Sequence, residues 1–374
     1  MFPLSDEQQL LVRKAERFAE KHARSLAGSG SGLKKAKAVY EAYAKAGYHA
    51  LLIPKEFKGQ GLDYVSTGLV YEALSSRLPG TLNGPVTTAH CAEMMKIGLT
   101  GNHLSRHLSS IAAHKLAAGF CLTEEGAGSD IASVTTTAKR SKRGFAISGK
   151  KSIVINHALA SYLIVFAASP PSKGRAGLNA FIVDPHLPGV TIGDAYGPHE
   201  SSGSVMGEVV FDNVTVPEES LLGEEGSGYL LLMETLDKGR PIVAACCAGS
   251  ARRVFDMVLG HAKNRSQFGK PLFSFQGISF PLAEYATRLQ ASRLLAFDAL
   301  SRIDAGLTFS LEASMAKLYA SETLLGLASF AMEALGYRAA FESHEIRRIH
   351  HDAQLMMSID GTANVQKMVI ASQL

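Results

Sequence analysis

Residues 120–130 read FCLTEEGAGSD, and this stretch decides how the rest of the chain is interpreted. A strand-like apolar run ends at Thr123, and a turn containing Gly126 and Gly128 follows it. Because glycine has no Cβ, such a loop lets the backbone approach a flat ligand closely. The hydroxyls of Thr123 and Ser129 suit small polar contacts to that ligand. A surface hairpin turn would not require this order of residues, so the stretch predicts a binding loop.

The composition changes on both sides of this loop. Residues 1–117 are rich in alanine and show helical periodicity. Residues 118–222 carry β-branched and alternating runs, such as LIVF at 163–166, separated by Gly, Pro and Asn. Residues 223–374 return to long helical patterns. We therefore predict an α+β chain in which these three ranges form three domains.

The overall composition fits a globular protein and excludes several classes of function. The charged fraction is 19%, the hydrophobic fraction 46% and the formal net charge +4. The basic clusters lack interleaved aromatic residues, so we expect no nucleic-acid partner. The chain start lacks the pattern of a signal peptide, and no apolar stretch reaches the roughly 20 residues of a membrane span. We expect a cytoplasmic protein without membrane contact.

Metal and nucleotide motifs are also missing. The four cysteines have no metal-ligand spacing, so we expect buried free thiols and no metal. Residues 144–150 begin like a P-loop, but Lys151 stands where Ser or Thr should bind magnesium. The GAG at 126–128 begins a dinucleotide fingerprint, but Ile131 occupies its sixth position. Neither pattern supports a P-loop or Rossmann enzyme.

The order of residues 120–130 strongly resembles the first signature of the acyl-CoA dehydrogenase family. Further matches follow at the family's spacing, so the resemblance covers nearly the whole chain. It implies an N-terminal helical domain, a central β-sandwich or barrel-like domain and a C-terminal four-helix bundle. It also implies FAD as the cofactor, with Thr123 and Ser129 among the residues that bind it.

A second match lies at residues 265–271, which read RSQFGKP and resemble the family's Arg-x-x-Phe-Gly stretch. The resemblance implies that Arg265 reaches the FAD pyrophosphate of a neighbouring subunit, a task that suits a guanidinium group. It implies that Phe268 packs against the same cofactor and that Gln276 begins the next helix. A homodimer or homotetramer follows from this arrangement.

Residues 358–362 read SIDGT and resemble the region where the family holds a catalytic glutamate. Thr362 fits the N-cap of a helix over residues 363–374. The apolar positions of that helix are Val365, Met368, Val369 and Leu374. The resemblance implies that Asp360 removes a substrate proton and that Thr362 contacts FAD. The residues alone leave the alternative that Asp360 is only a turn or capping residue.

A further match is the run DKGRP at residues 237–241, which resembles the helix opening beside the substrate. Asp237 and Arg240 would line the thioester pocket, although a purely structural ion pair is an equal alternative. Some family members carry an alternative glutamate base at the position of Gly239, which this chain cannot use. His350 and His351 lie near a family arginine position, and we interpret them as packing residues.

Three departures from the family pattern bear on function, and the first is Asp360 itself. Aspartate is one methylene shorter than glutamate, so its carboxylate reaches roughly 1.5 Å less. A misplacement of about 1 Å costs on the order of 10²-fold in rate if nothing compensates. Relatives with an aspartate base include nitroalkane oxidases and dehydrogenases of cyclic acyl thioesters. The change therefore favours a different substrate shape over an inactive enzyme.

The other two departures affect the expected flavin site. Residues 152–156 read SIVIN, where Ile153 replaces the family's tryptophan and Ile155 replaces the threonine that hydrogen-bonds flavin N5. Both changes would alter redox tuning and access of the electron acceptor. Residues 333–339 read EALGYRA in place of Gln-x-x-Gly-Gly-x-Gly, and Gly336 is the clean match to this FAD-binding motif. An acidic Glu333 would repel the pyrophosphate, and Arg338 would compensate.

The sequence thus predicts a FAD-dependent acyl-thioester dehydrogenase. Asp360 would remove the α-proton while hydride passes from the β-carbon to flavin N5. The substrate would be carried by CoA or by an acyl carrier protein, as in making hydroxymalonyl- or aminomalonyl-type units. Electron-transfer flavoprotein or oxygen would accept the electrons. A non-catalytic relative that acts as a binding protein is the alternative from a different class.

Overall fold

The computed structural model describes residues 3–26, 32–169, 171–196, 204–341 and 344–374. Helices α1 to α5 form the first part of the chain: Asp6–Leu26, Leu33–Lys45, Tyr64–Arg77, Asn83–Gly98 and Gly101–His114. Helix α3 begins where the Asp63 side chain accepts a hydrogen bond from the backbone N–H of Ser66 at 2.6 Å. Helices α3 and α4 are buried on most sides, so they form the centre of this helical layer.

A single sheet follows the helices. Its strands β1 to β8 are Ala117–Cys121, Thr137–Ser141, Gly144–Ile155, Ala160–Ala168, Leu178–Val183, Val190–Ala195, Met206–Val216 and Leu221–Leu222. Within the described residues the sheet has eight strands in the order β6-β7-β3-β2-β4-β5-β8, and β1 pairs with β4. The β1–β4 pairing is parallel, whereas β3–β7 and β4–β5 are antiparallel.

Strand β4 is buried on both faces because its apolar run alternates between two cores. Val165 packs in a cluster with Phe181 on one face of the sheet. Ile164 and Phe166 pack in a second cluster with residues of α4, including Met94. The period of two in a strand sends successive side chains to opposite faces. A continuous apolar run is therefore what this central strand requires.

Long helices close the chain. Helices α6 to α10 are Gly228–Asn264, Gln276–Asp304, Ser310–Leu335, Glu345–Met356 and Ala363–Ala371. A short hairpin of β9, Ser266–Gln267, and β10, Lys270–Pro271, joins α6 to α7. The main core of the molecule lies among α3, α6, α7 and α8 and includes Ala316, Ala320 and Leu324 of α8. The structure confirms the predicted α+β class, with N-terminal helices, a central sheet and a C-terminal helical domain.

The expectation for the last helix was partly wrong. Helix α10 begins after its Thr362 N-cap as predicted, but it ends at Ala371. Of the predicted apolar face, Val365 and Val369 are half-buried, Met368 is 71% exposed, and Leu374, beyond the end of the helix, is 93% exposed. The fully buried side chain of α10 is Gln366, which turns inward toward backbone carbonyls. The hydrogen bond of Gln366 therefore holds this helix in place, whereas the sequence pattern predicted that apolar side chains would do so.

The side chain of Asn156 ties the sheet to helix α4. Asn156 follows β3 with a positive φ of 65° and is completely buried. Its amide donates to the carbonyl of Gly84 at 2.9 Å and to the carbonyl of Ala118 at 3.0 Å. The N–H of Ala118 in turn donates to Thr88 Oγ1 at 3.2 Å. Helix α4 thus has a fixed position over β1 and the end of β3.

We predict that Asn156→Ala lowers the free energy of unfolding by about 3 kcal/mol, because it leaves two buried carbonyls without this donor and puts alanine at positive φ. Asn213→Ala is the matched control, since Asn213 also has a positive φ of 51° but is exposed. It should lose roughly 1–2 kcal/mol, the cost of backbone strain alone. Equal losses in thermal or urea denaturation would contradict the anchoring role of Asn156.

Candidate active site

Asp360 lies in the turn between α9 and α10 with a strained backbone. Its φ is 55°, and the following Gly361 has a φ of 98°. A left-handed conformation costs a residue other than glycine roughly 1–2 kcal/mol, so the surrounding structure must hold it. The Thr362 side chain accepts from the N–H of Val365 at 3.3 Å and caps α10 directly after this turn.

Three buried side chains hold the turn through its carbonyl groups. Arg240 Nε and Gln366 Nε2 donate to the carbonyl oxygen of Asp360 at 3.4 and 3.0 Å. Lys317 Nζ donates to the carbonyl of Gly361 at 2.8 Å. Burial lowers the pKa of Lys317. Because these donors bind the backbone, they leave the carboxylate of Asp360 unused.

The carboxylate of Asp360 faces helices α4 and α6. Its Oδ2 is buried and has no hydrogen-bond partner among the described residues. The nearest charged or chargeable group that the structure pairs with it is His90 Nδ1 on α4, at 3.7 Å. A Cβ added to Gly239 on α6 would lie 3.0 Å from Oδ2 and 2.7 Å from His90 Nε2. A glutamate at position 239 would therefore collide with both groups. The carboxylate that fits between α4 and α6 is that of Asp360.

Asp237 and Arg240 form the ion pair that the sequence left as an alternative. Arg240 Nη1 donates to Asp237 Oδ1 and, at 3.3 Å, to Ser314 Oγ. The Arg240 side chain is 2% exposed and that of Asp237 is 20% exposed. This pair lies beside Asp360 because Arg240 also contacts the Asp360 carbonyl. Contact of either residue with a thioester remains a prediction.

The binding loop after β1 rests on a buried ion pair. Glu124 accepts hydrogen bonds from Lys151 Nζ at 2.7 Å and from the backbone and hydroxyl groups of Thr135 and Thr136. Burial by itself would raise the pKa of Glu124, but the Lys151 charge and these bonds outweigh it and lower the pKa to about 2. Lys151 also donates to the carbonyl of Leu122 at 3.1 Å. The loop therefore has a rigid base in β3.

The outer side of this loop is open. Neither Gly126 nor Gly128 has a positive φ, so backbone conformation does not require glycine at either position. A Cβ at Gly126 would meet nothing within 4 Å, and one at Gly128 would meet only Thr123, at 3.9 Å. Thr123 is half-buried and Ser129 is exposed. The two glycines thus keep free a surface that a flat ligand fits.

Phe268 lies at the tip of the β9–β10 hairpin and is 92% exposed. Phe268 and Gly269 have φ values of 51° and 77°, the two positive angles of a type I′ turn. Placing an aromatic residue at such a position costs backbone strain and exposes its ring to water. The hairpin therefore presents an aromatic ring to solvent.

A cationic groove lies beside the end of α6. Arg265, Arg338, His261 and His344 line this groove of about 470 Å³. Burial lowers the pKa of His261, and the charges of Arg338 and Arg265 lower it further. Glu333 is exposed and is not among the groove residues, and its repulsion of a bound pyrophosphate stays a prediction. Positive charge with few acidic neighbours fits a pyrophosphate.

Comparison with known proteins gives the family. Sequence profiles described as acyl-CoA dehydrogenase N-terminal, middle and C-terminal domains match residues 5–113, 119–214 and 226–374. The chain belongs to the acyl-CoA dehydrogenase family. It is 32% identical to the caffeyl-CoA reductase-Etf complex subunit CarC of Acetobacterium woodii, over 98% of each chain.

Solved structures of family members agree along the whole chain. Butyryl-CoA dehydrogenase from Megasphaera elsdenii superposes with a TM-score of 0.92 at 30% identity, covering 100% of this chain and 99% of the other. The prolyl acyl carrier protein oxidase AnaB superposes with a TM-score of 0.91 at 25% identity, covering 99% of each chain. The protein is thus an oxidoreductase that acts on CH–CH donors, and its cofactor is FAD.

The residues of the structure fit FAD at two places, the open glycine loop and the cationic groove. Gly336, the residue that matches the family's FAD-binding motif, has a φ of 61° and caps the end of α8 just before Arg338. Ile153 is 50% exposed on β3. Within the described ranges no helix is long and apolar enough to cross a membrane, and no group of three metal-binding side chains occurs.

Sequence reasoning missed the residues that complete the site around Asp360. His90 stands in an ordinary helical stretch with no spacing signal to connect it to Asp360. Lys317 gave a weak signal, because a lysine on the alanine-rich face of α8 is unusual for a buried stripe. Gln366 gave none. His90 and Gln366 were recognisable only from their places in the fold.

Proposed function

We propose that this enzyme dehydrogenates acyl thioesters, with Asp360 as the base that removes the α-proton. The observation that carries this proposal is the buried Oδ2 of Asp360, which no side chain of the described residues satisfies. An ionised carboxylate in that position needs a proton or a donor, so it suits proton abstraction. When bound, FAD supplies the acceptor for the hydride that leaves the β-carbon.

The backbone around Asp360 supports this role. The N–H of Asp360 donates in none of the hydrogen bonds found among the described residues. A free N–H next to the base is suited to hold the thioester oxygen, where negative charge develops as the α-proton leaves. Lys317, Arg240 and Gln366 fix the turn and so fix both groups. We propose that Asp237 and Arg240 lie beside the thioester and that their ion pair forms one side of its pocket.

We predict that Asp360→Asn slows bleaching of the flavin by the thioester substrate by roughly 10²–10⁴-fold under anaerobic conditions, because the amide keeps the shape but is not a base. FAD content should be unchanged. Asp256→Asn, which removes an exposed carboxylate on α6, is the control and should bleach at the normal rate. Bleaching of the Asp360→Asn protein at an unchanged rate would overturn the role of Asp360.

For cofactor binding, we propose that Thr123, Ser129 and Thr362 contact the flavin end of FAD and that Gly336 lies at its other end. The groove with Arg265 and Arg338 would bind the pyrophosphate. Arg338 would then replace contacts that the family's glycine-rich motif supplies. The observation behind this is the shared groove, which both Arg265 and Arg338 line.

Arg338→Gln should weaken FAD binding roughly tenfold or more, the effect of losing one charge-assisted hydrogen bond. The dissociation constant of FAD from the apoprotein, measured by flavin fluorescence, gives the result. Arg143→Gln, which removes an exposed arginine in the β2–β3 turn, serves as the control. Equal FAD affinity of the Arg338→Gln and unmodified proteins would remove Arg338 from the cofactor site.

A homodimer or homotetramer is the assembly that we propose. Phe268 is 92%, Tyr337 70% and Phe341 58% exposed, and all three lie near the hairpin or the end of α8. Exposed aromatic rings of this size mark an interaction surface. A second subunit whose FAD contacts Phe268 and Arg265 would cover them.

The carrier of the acyl group has two candidates, CoA and an acyl carrier protein. Similarity to butyryl-CoA dehydrogenase supports CoA, and similarity to a prolyl acyl carrier protein oxidase supports a carrier protein of a biosynthetic pathway. Electron-transfer flavoprotein is the proposed acceptor, as the CarC complex suggests, with oxygen as the alternative because Ile153 is only half covered.

The same acyl groups should be presented as CoA esters and loaded on a carrier protein, and the rate of flavin reduction compared. We predict faster turnover of the CoA ester, since all three matched domain profiles are those of acyl-CoA dehydrogenases. Faster turnover of the carrier-bound group would reverse the assignment. Hydrogen peroxide yield during turnover in air separates the two electron acceptors.

A further inference from the structure

His261 lies in the cationic groove beside the end of α6. Its side chain is partly exposed, and it lines this groove of about 470 Å³ together with Arg265 and Arg338. Arg265 follows one turn later, directly after α6, and Arg338 comes from the segment Gly336–Ala340 after α8. An anion held by both guanidinium groups therefore lies in the same groove as the imidazole.

The surroundings of His261 oppose a positive charge on its ring. Burial lowers the pKa of His261, and the positive charges of Arg338, Arg265 and His344 lower it further. In the part of the chain that the structure describes, no carboxylate lines the groove. Since the ordinary pKa of histidine is about 6.5, the imidazole is mostly neutral at neutral pH unless an anion binds.

The acidic residues nearest to the groove along the chain are paired elsewhere or do not line it. Asp256 Oδ2 on α6 lies 3.0 Å from Arg252 Nε. Glu345 Oε2 at the start of α9 lies 2.8 Å from Arg253 Nη2. Glu333 is exposed and is not a groove residue. The negative charge that would balance this groove therefore comes from a ligand.

A pyrophosphate in the groove reverses the preference of His261 for the neutral form. Its two negative charges offset those of the guanidinium groups and attract a proton to the imidazole. An imidazolium also forms a charge-assisted hydrogen bond to a phosphate oxygen, which is stronger than the bond from a neutral ring. Because ligand and proton favour each other, each raises the affinity of the protein for the other by the same factor.

His344, the second histidine of the groove, is less suited to take up this proton. Its Nδ1 accepts a hydrogen bond from the backbone N–H of Ile346 at 3.3 Å and so caps helix α9. A proton on Nδ1 would remove that acceptor. His344 can donate to an anion through Nε2 while it stays neutral, whereas no such cap restrains His261.

We propose that His261 is a further residue of the cofactor site, which takes up a proton as the groove binds the pyrophosphate of FAD and then donates a hydrogen bond to it. This inference rests on the proposed placement of that pyrophosphate between Arg265 and Arg338. Its consequence is that the affinity for FAD falls as the solution becomes more alkaline. A histidine that only packs against the helix would have no such effect.

The test measures the dissociation constant of FAD between pH 5.5 and 8.5 at constant ionic strength. The holoenzyme is diluted in each buffer, and the released FAD is measured by its fluorescence against free FAD in the same buffer. The pyrophosphate stays doubly ionised over this range. We expect binding about tenfold tighter at pH 5.5, because a tenfold rise in proton affinity on binding becomes a tenfold rise in FAD affinity.

The direction follows from the two states of His261. Binding raises the pKa of its imidazole from the lowered value of the free groove. The gain in FAD affinity therefore begins as the pH falls below the pKa of the complex, and it is complete below that of the free groove.

Four variants separate His261 from other sources of pH dependence. His261→Gln is always neutral and should give the same dissociation constant at every pH. His261→Lys keeps a positive charge and should bind FAD at pH 8.5 as tightly as at pH 5.5. His344→Gln should keep the pH dependence, and so should His103→Gln, the control, which removes an exposed histidine on α5. His261 is only partly buried, so its variants should fold.

Three results would refute the role of His261: equal affinity of the unmodified enzyme at both ends of the range, pH dependence that survives in His261→Gln, or weakened binding in His261→Lys. A flat profile combined with weakened binding in Arg338→Gln would leave the pyrophosphate in the groove and exclude His261. Unchanged bleaching in Asp360→Asn would remove the proposed base and leave the result for His261 intact.

Discussion

The amide of Asn156 is the contact on which the rest of the site depends. It connects the end of β3 to helix α4 and to β1 through two hydrogen bonds to carbonyl groups. Helix α4 is therefore fixed to the sheet on one side while it carries His90 toward Asp360 on the other. A buried amide that crosses three elements sets both distance and orientation, which apolar packing by itself does not.

The turn at Asp360 shows how polar groups can be buried while the carboxylate of one residue stays unpaired. Lys317, Arg240 and Gln366 satisfy the carbonyls of the turn and stabilise the positive φ of Asp360. These bonds offset the strain, so the carboxylate itself does not need to hold the loop. It remains available between α4 and α6, where its Oδ2 is buried without a hydrogen-bond partner among the described residues.

Prediction from sequence succeeded where a local pattern and a local structure coincide. The apolar run of β4, the Thr362 cap and the start of α7 at Gln276 were all recognisable, since each depends on neighbouring residues. It failed for the face of α10. The apolar residues there were recognisable, but which side of the helix is buried was decided by its packing against the rest of the chain.

The amino-acid order by itself determined the fold class, the family and the identity of the carboxylate at position 360, because signature residues at fixed spacing carry that information. Only the tertiary structure brought His90 to Asp360 and Gly239, and Lys151 to Glu124. These pairs come from separate elements, and nothing in their local sequence encodes the distance between them. Burial then gives those contacts their strength, since removal from water makes each unpaired polar atom costly.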